Sequence, residues 1–401
     1  MNKPLDFPLD SVSRVSEFHD ELRTIRRDLH RHPELGFEEN YTSDVVAHEL
    51  KRLGIEHHRG IGKTGIVGVI RGQQSDSGRS VGLRADMDAL PLVEENTFAH
   101  KSTIRGKMHG CGHDGHTTML LGAARYLNAT RKFNGVVYLI FQPGEEGYAG
   151  AKAMMEDGLF ERFPADEIYA LHNWPGLPPG KIGLRPGPTM AAADRVTIQV
   201  DGRGGHGGHP HAAIDPVVVA AHIIVAAQTI VSRNIGPVDM AVVSLCHILA
   251  GHQDAMSVIP RSAKIVGTVR SFKAETAELI EKRLGELVTN IATAFGATAT
   301  VHYERIYPAT VNSEKESEFA RDVAVELIGE ENVVWNLDPS MGAEDFSFML
   351  QKKPGAYVRL GQGGIETGCF LHNSMYDFND DVIPLGAGFL AALAERALPL
   401  R

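Results

Sequence analysis

Val136-Val137-Tyr138-Leu139-Ile140-Phe141 runs directly into Gln142-Pro143-Gly144-Glu145-Glu146-Gly147. Six consecutive apolar, β-branched or aromatic residues predict a buried strand. The Pro-Gly pair ends it. Two adjacent carboxylates then stand at a strand end. A solvated helix face, the ordinary home of paired glutamates, is not expected there.

Working outward, short apolar runs at 65–70, 80–85 and 168–171 read as further buried strands. Residues 17–31 and 42–53 read as helices, the second with Val46, Leu50 and Leu53 on one face. Another helix follows His113, carrying Leu120, Leu121, Ala124 and Leu127, and a short one lies near 149–157. Strands alternating with helices predict an α/β domain around a central mixed or parallel sheet. In open sheets of this kind, sites form at the carboxyl edge of the strands.

The rhythm changes near Asp194. Strands are predicted at 195–200, 240–248, 263–271 and 297–303. Asp215-Pro216 reads as an N-cap and N1 proline opening a helix to about Val231. A long helix carries Ile280, Leu284, Leu287 and Ile291 on one stripe. The order β-α-β-β-α-β is that of a ferredoxin-like α+β unit. The expected organisation is therefore a catalytic metal-binding domain from residues 1–187 and 306–401, interrupted by a small domain at 188–305.

The 401 residues suffice for two cores, and 43% hydrophobic with 22% charged residues is an ordinary globular balance. A net charge of -10 argues against a nucleic-acid partner. Residues 1–10 lack the apolar core of a signal peptide. No stretch is expected to approach the roughly 18 apolar residues of a membrane span. Three cysteines, Cys111, Cys246 and Cys369, cannot all pair, and their scarcity fits a reducing, cytoplasmic setting.

Four short motifs carry candidate metal ligands: His109-Gly110-Cys111-Gly112-His113-Asp114, the Glu145-Glu146 stretch, Leu171-His172-Asn173 and Leu371-His372-Asn373. Cys111, His113, Glu146, His172 and His372 supply sulfur, nitrogen and oxygen donors suited to Zn²⁺ or Mn²⁺. Glu145 is the spare carboxylate, able to take a proton from an activated water and return it. A buried thiol beside a surface histidine is the plainer reading of Cys111 and His113; the flanking glycines favour function. Five ligands are few for two ions, so a thiolate bridge through Cys111 is expected. Asp86 and Asp88 point the same way past a strand. Asp88 is a candidate to hold a ligand histidine, or else a turn acid. His30 and His32 read as helix-end capping and packing, and His19, His57, His58, His100 and His302 as surface residues.

Gly60-Ile61-Gly62-Lys63-Thr64-Gly65 fits a dinucleotide pattern but precedes a strand where a helix is required. The run from Gly202 to His211 holds three histidines among glycines. It reads as a mobile catalytic donor in preference to a metal-binding tract. Arg270 is either a clamp for a substrate carboxylate or a surface arginine.

Together, Ala85-Asp86-Met87-Asp88-Ala89-Leu90-Pro91, the motifs at 109–114 and 142–147, and Met341-Gly342-Ala343-Glu344-Asp345-Phe346 resemble the aminoacylase/carboxypeptidase family of co-catalytic metallohydrolases. Within it they are similar to the amidohydrolase branch with hippurate hydrolase and auxin-conjugate hydrolases. The resemblance spans nearly the whole chain. It implies two divalent metal ions on Cys111, His113, Glu146, His172 and His372, with Glu145 as acid/base. It implies that the inserted domain is a lid that also dimerises, giving a homodimer or homotetramer. It implies that His206 reaches the partner subunit's site to steady an oxyanion and that Arg270 binds the substrate carboxylate. The expected reaction is hydrolysis of an N-acyl amino acid to a carboxylic acid and a free amino acid, with a dipeptidase or carboxypeptidase on the same scaffold as the alternative. Where peptidase relatives have a histidine ligand, this chain has Asp86. Ser257 stands where Asn is usual; its shorter side chain donates one proton, so the substrate contact is expected to be lost or water-mediated; Ser374 stands where Pro is common.

Overall fold

The computed structural model describes residues 10–400. The reading of residues 1–10 as no signal peptide lies, Asp10 apart, outside the described residues. The chain divides into two compact units, Met1–Thr189 with Thr310–Asp338 and Asp345–Arg401, and Met190–Ala309 with Pro339–Glu344.

The first unit is built on an eight-stranded sheet. Its strands lie in the spatial order Glu56–Ile61, Gly65–Arg71, Val136–Gln142, Ser80–Asp86, Glu167–Trp174, Gly355–Gly361, Ile182–Leu184 and Val333–Trp335. Ser80–Asp86 runs parallel to both neighbours, and Glu167–Trp174 runs parallel to Gly355–Gly361. The first three strands of the order pair antiparallel, so the sheet is mixed. The strand predicted at 136–141 spans Val136–Gln142, with Gln142 in register with Asp86. The parallel strands thus deliver Asp86 and Gln142 to one carboxyl edge.

Against the sheet packs the helix His113–Thr130, buried on nearly every side. The apolar helix Ile383–Ala397 covers it in turn. The helix can begin where it does because of Gly112. Its φ is 99°, and a Cβ there would lie 2.3 Å from Asn173 Oδ1. Only glycine meets both demands.

Two expectations change in detail. The helix expected at 17–31 spans His19–Arg31, and a separate helix not expected from the sequence, Asp10–Ser16, precedes it. The strand expected at 168–171 extends over Glu167–Trp174, which puts His172 inside the ladder and not after it.

The second unit has a four-stranded antiparallel sheet in the order Ala241–Ala250, Ser262–Ser271, Ala192–Asp201, Thr298–Tyr307. Helices Pro216–Asn234 and Ala274–Ala294 pack on the sheet through Val219, Ile223, Ile280 and Leu284 against Val196, Ile198 and Ile265. The β-α-β-β-α-β order carries the ferredoxin-like strand arrangement. Asp215 caps the first helix, its Oδ1 accepting the Val217 N–H at 2.9 Å. That helix has the length of a membrane span and a mean hydropathy of 1.5. This corrects the expectation that no stretch approaches one. Val219, Ile223 and Ile230 of this helix pack into the core of its own unit, while Val217, Val218 and Val225 are exposed.

Candidate active site

The site begins at the end of the Ser80–Asp86 strand. Arg84 and Asp86, two apart, share a face of the strand and are both buried. Arg84 donates to Asp86 at 2.8 Å, to Gln142 at 2.8 Å and to Asp345 at 3.1 Å. Asp86 Oδ1 also meets His116 Nδ1 at 2.6 Å. Burial opposes the charge on Asp86, but His113, Arg84 and His116 together hold it well below the carboxylate range. His116 is engaged at its other nitrogen too, 2.6 Å from Asn173 Oδ1. It is a brace between strand end and strand end.

Asp88 has a different task. Its carboxylate accepts the Glu145 N–H at 3.0 Å and the Glu146 N–H at 2.9 Å. It also meets His113 Nδ1 at 3.2 Å. One buried acid therefore fixes the glutamate pair and sets the His113 tautomer, leaving Nε2 to face other groups. His113 Nε2 is buried with no hydrogen-bond partner. An orphaned imidazole nitrogen is costly unless something binds it.

His172 is arranged similarly. Its Nδ1 bonds the Asn173 carbonyl at 2.6 Å, and its Nε2 lies 3.5 Å from Cys111 Sγ. Burial, then the neighbouring His116, pushes His172 well below the usual imidazole range, so it is held neutral, as a ligand must be. His372 reaches Glu146 from a distant segment, Nε2 to Oε1 3.2 Å. Its backbone N–H is held by the Gly110 carbonyl at 2.7 Å, and its φ of 61° is strained for a residue with a side chain. Cys111 and Glu146 raise His372 to about 10, so this corner attracts positive charge.

The structure thus brings Cys111, His113, Glu145, Glu146, His172 and His372 together. Donor atoms of Cys111, His113 and His172 lie within 4.8 Å of one another, and so do those of Cys111, Glu146 and His372. Cys111 is common to both groups. His113, Glu145 and Glu146 form a third such group. Glu145 is 6% exposed, and its Oε1 accepts the Asp345 N–H at 3.4 Å. Donor spacing, the neutral His172 imidazole and the orphaned His113 nitrogen all fit a bound metal.

His206, Ser257 and Arg270 belong to the second unit. There, His206 pairs with Val258 in a short antiparallel bridge, and the Gly207 N–H bonds the Ser257 carbonyl at 2.7 Å. Arg270, in register with Ala193 and Val242, is half-buried, and burial lowers its pKa.

Sequence reasoning missed several residues around the site. His116 lies one turn beyond His113 on the same helix, and that spacing could have found it. Arg84 shares its strand face with Asp86, also a readable signal. Arg26 is fully buried and bonds Asp114, Asp377 and Asp380 at 3.4, 3.0 and 2.6 Å. His30, read as a cap, is instead buried between Asp114 at 2.8 Å and Glu94 at 3.2 Å. His100, read as a surface residue, stacks on Phe98 at 3.9 Å and lies 3.2 Å from Asp377. The local Phe98–His100 stack apart, those contacts join segments too far apart in sequence for spacing to reveal.

Thiolate, imidazole and carboxylate donors at one sheet edge, with a carboxylate to spare, are the equipment of a metal-dependent hydrolase. Residues 82–396 match the pattern of peptidase family M20/M25/M40, and the chain belongs to that family. It is 44% identical to a hippurate hydrolase of Campylobacter jejuni, over 97% of this chain and the full length of that protein, 100%. It is 40% identical to thermostable carboxypeptidase 1 of Saccharolobus solfataricus, over 95% of this chain and 96% of the relative. Among solved structures it is similar to a dinuclear metal-binding peptidase of the M20 family from Bacillus subtilis. The TM-score is 0.82 and the identity 33%, covering 96% of this chain and 99% of the other.

Proposed function

We propose that this chain is a metal-dependent amidohydrolase that cleaves N-acyl amino acids, hippurate-like or N-acetylated, into a carboxylic acid and a free amino acid. The observation that carries the reading is the buried Glu145 carboxylate, fixed by its backbone beside two donor groups that share Cys111. The 44% identity to a hippurate hydrolase over the whole chain supports the substrate class.

Cys111, His113, Glu146, His172 and His372 would hold two divalent ions, Mn²⁺ or Zn²⁺. Such ions polarise the amide carbonyl and make water a nucleophile at neutral pH. The chain's own residues do the rest. Glu145 takes the proton of the attacking water and delivers it to the leaving amine. Asp88 keeps His113 and the Glu145 backbone in register. His206 of the partner subunit is assigned to the developing oxyanion and Arg270 to the substrate carboxylate. Ser257 has a shorter side chain than the usual Asn and one proton to donate, so its substrate contact is lost or runs through water.

The inserted unit is read as a lid that joins two copies into a homodimer or homotetramer. Its edge strand Ala241–Ala250 exposes Ile248 at 45% and Leu249 at 61%. An unpaired apolar edge favours a second strand beside it. Three free thiols fit a cytoplasmic setting.

The 40% identity to a carboxypeptidase keeps a peptide-cleaving reading alive. One panel decides between them. Benzoyl- and acetyl-amino acids are assayed beside dipeptides, after chelation and add-back of Mn²⁺ or Zn²⁺. Metal-restored turnover of the acyl substrates is expected. Turnover of dipeptides alone would replace the first reading with the second.

A further inference from the structure

Three consecutive backbone N–H groups, those of Gly144, Glu145 and Glu146, are each received by a buried carboxyl group. Asp88 takes the last two. The first belongs to Glu39, which is 0% exposed and comes from the start of the helix Asn40–Arg52. Its Oε1 accepts the Gly144 N–H at 2.7 Å, and its Oε2 accepts the Thr64 hydroxyl at 2.6 Å. Thr64 sits in the turn between strands Glu56–Ile61 and Gly65–Arg71, the glycine-rich stretch with no dinucleotide role. Gly144 has a φ of 58°, and its carbonyl accepts the Gly150 N–H at 2.9 Å. This left-handed turn, tied at both its donor and its acceptor, sets the direction in which the chain leaves the sheet towards Glu145.

We propose that Glu39 is a positioning residue: braced by Thr64, it locks the Gly144 turn and so places Glu145 for proton transfer. This rests on the reading of Glu145 as the proton carrier. Burial raises Glu39 to about 7, with the Thr64 hydroxyl opposing and the charge of Asp88 adding to the rise. A carboxyl group held near neutrality is about as readily neutral as charged, so its grip on the turn is one of shape and hydrogen bonding. In its neutral form it still accepts from Gly144 and can donate to the Thr64 oxygen. Glutamine offers the same two contacts.

The test compares Glu39→Ala, Glu39→Gln and Thr64→Val in the full chain at saturating Mn²⁺ or Zn²⁺. Glu39→Ala is expected to lower kcat by roughly ten- to a hundredfold, as misplacement of a reacting group does. KM should stay within about twofold, because substrate contacts are untouched. Glu39→Gln should recover most of the lost turnover. Thr64→Val should move kcat the same way more weakly, and it serves where Glu39→Ala does not fold. Independently of activity, amide hydrogen exchange at residues 144–147 of the metal-free protein should quicken in Glu39→Ala and Thr64→Val. Unchanged kcat and exchange in both would overturn the proposal. So would Glu39→Gln as slow as Glu39→Ala, since charge and not placement would then matter. A wild-type protein that hydrolyses no N-acyl amino acid would instead sink the functional reading, and the exchange measurement alone would then decide the role of Glu39.

Discussion

Arg26 donates from its Nε to Asp380 Oδ1 at 2.6 Å, and neither side chain is more than 8% exposed. The same guanidinium reaches Asp377 and Asp114. It therefore ties the segment after His372 to the helix that begins at His113. Burial works against the charge of Arg26, but Asp114, Asp377 and Asp380 outweigh it and raise its pKa.

Arg26→Met leaves three carboxylates around an apolar side chain. Removing one partner of a buried ion pair costs about 3–5 kcal/mol. Denaturant unfolding should register a loss of that order. Equilibrium dialysis should also show weaker metal uptake, because two ligand-bearing segments lose their common anchor. A stability change under about 0.5 kcal/mol, the size expected of a surface substitution, would contradict the role given to the network.

Glu145→Gln removes the proposed proton carrier and keeps the side chain's shape. Metal content after dialysis should match wild type. Turnover of a benzoyl-amino acid should fall on the order of 10²–10⁴-fold or more. Near-normal turnover would end the proposed mechanism.

Cys111 is shared by two donor groups. Cys111→Ala should therefore weaken both metal positions together, and elemental analysis across a metal titration should reveal one shallow transition for two ions. Loss of a single ion with the other unaffected would place the sulfur on one ion only. The metal should also stabilise the wild-type fold. At a free concentration about 100 times Kd the gain is roughly 2.7 kcal/mol, so chelation should lower Tm.

His30 makes the fold sensitive to alkali. Burial opposes its charge, but the carboxylates of Asp114 and Glu94 prevail and raise it to about 9. Its ordinary value is about 6.5. A pKa raised by folding adds stability that is complete below about 6.5 and fades as pH climbs through about 9. The contribution is on the order of 3 kcal/mol. Unfolding curves between pH 6 and pH 10 should decline through that window, and His30→Asn should flatten the decline. An equal slope in both proteins would refute the assignment.

The sheet edge was legible because it is written in contiguous runs. The strand at 136–142 and the glutamates beyond it, or Asp215 before its helix, need only local rules to be read. The donors at 111, 113, 146, 172 and 372 announced themselves by residue type beside glycines or at strand ends. What stayed hidden is long-range: Arg84 meets Asp345, 261 positions later, and Arg26 meets Asp380, 354 positions later. Glu39, one of two adjacent acids before a helix, looks like a solvated end and is instead fully buried. No periodicity marks a polar residue whose partner lies on another segment. The left-handed backbone at His372 is equally silent, and its N–H bonds the carbonyl of Gly110, 262 positions earlier.

The chain order of the Arg26 contacts has a consequence for synthesis. Arg26 emerges from the ribosome early, while Asp377 and Asp380, which neutralise it, come almost last, just behind His372. During most of translation that cation has only Asp114 of its three carboxylate partners, and the proposed metal centre lacks His372. Maturation of the proposed metal site is thereby deferred until the polypeptide is nearly finished, and a product terminated before His372 would lack both that proposed donor and the late carboxylates that hold Arg26.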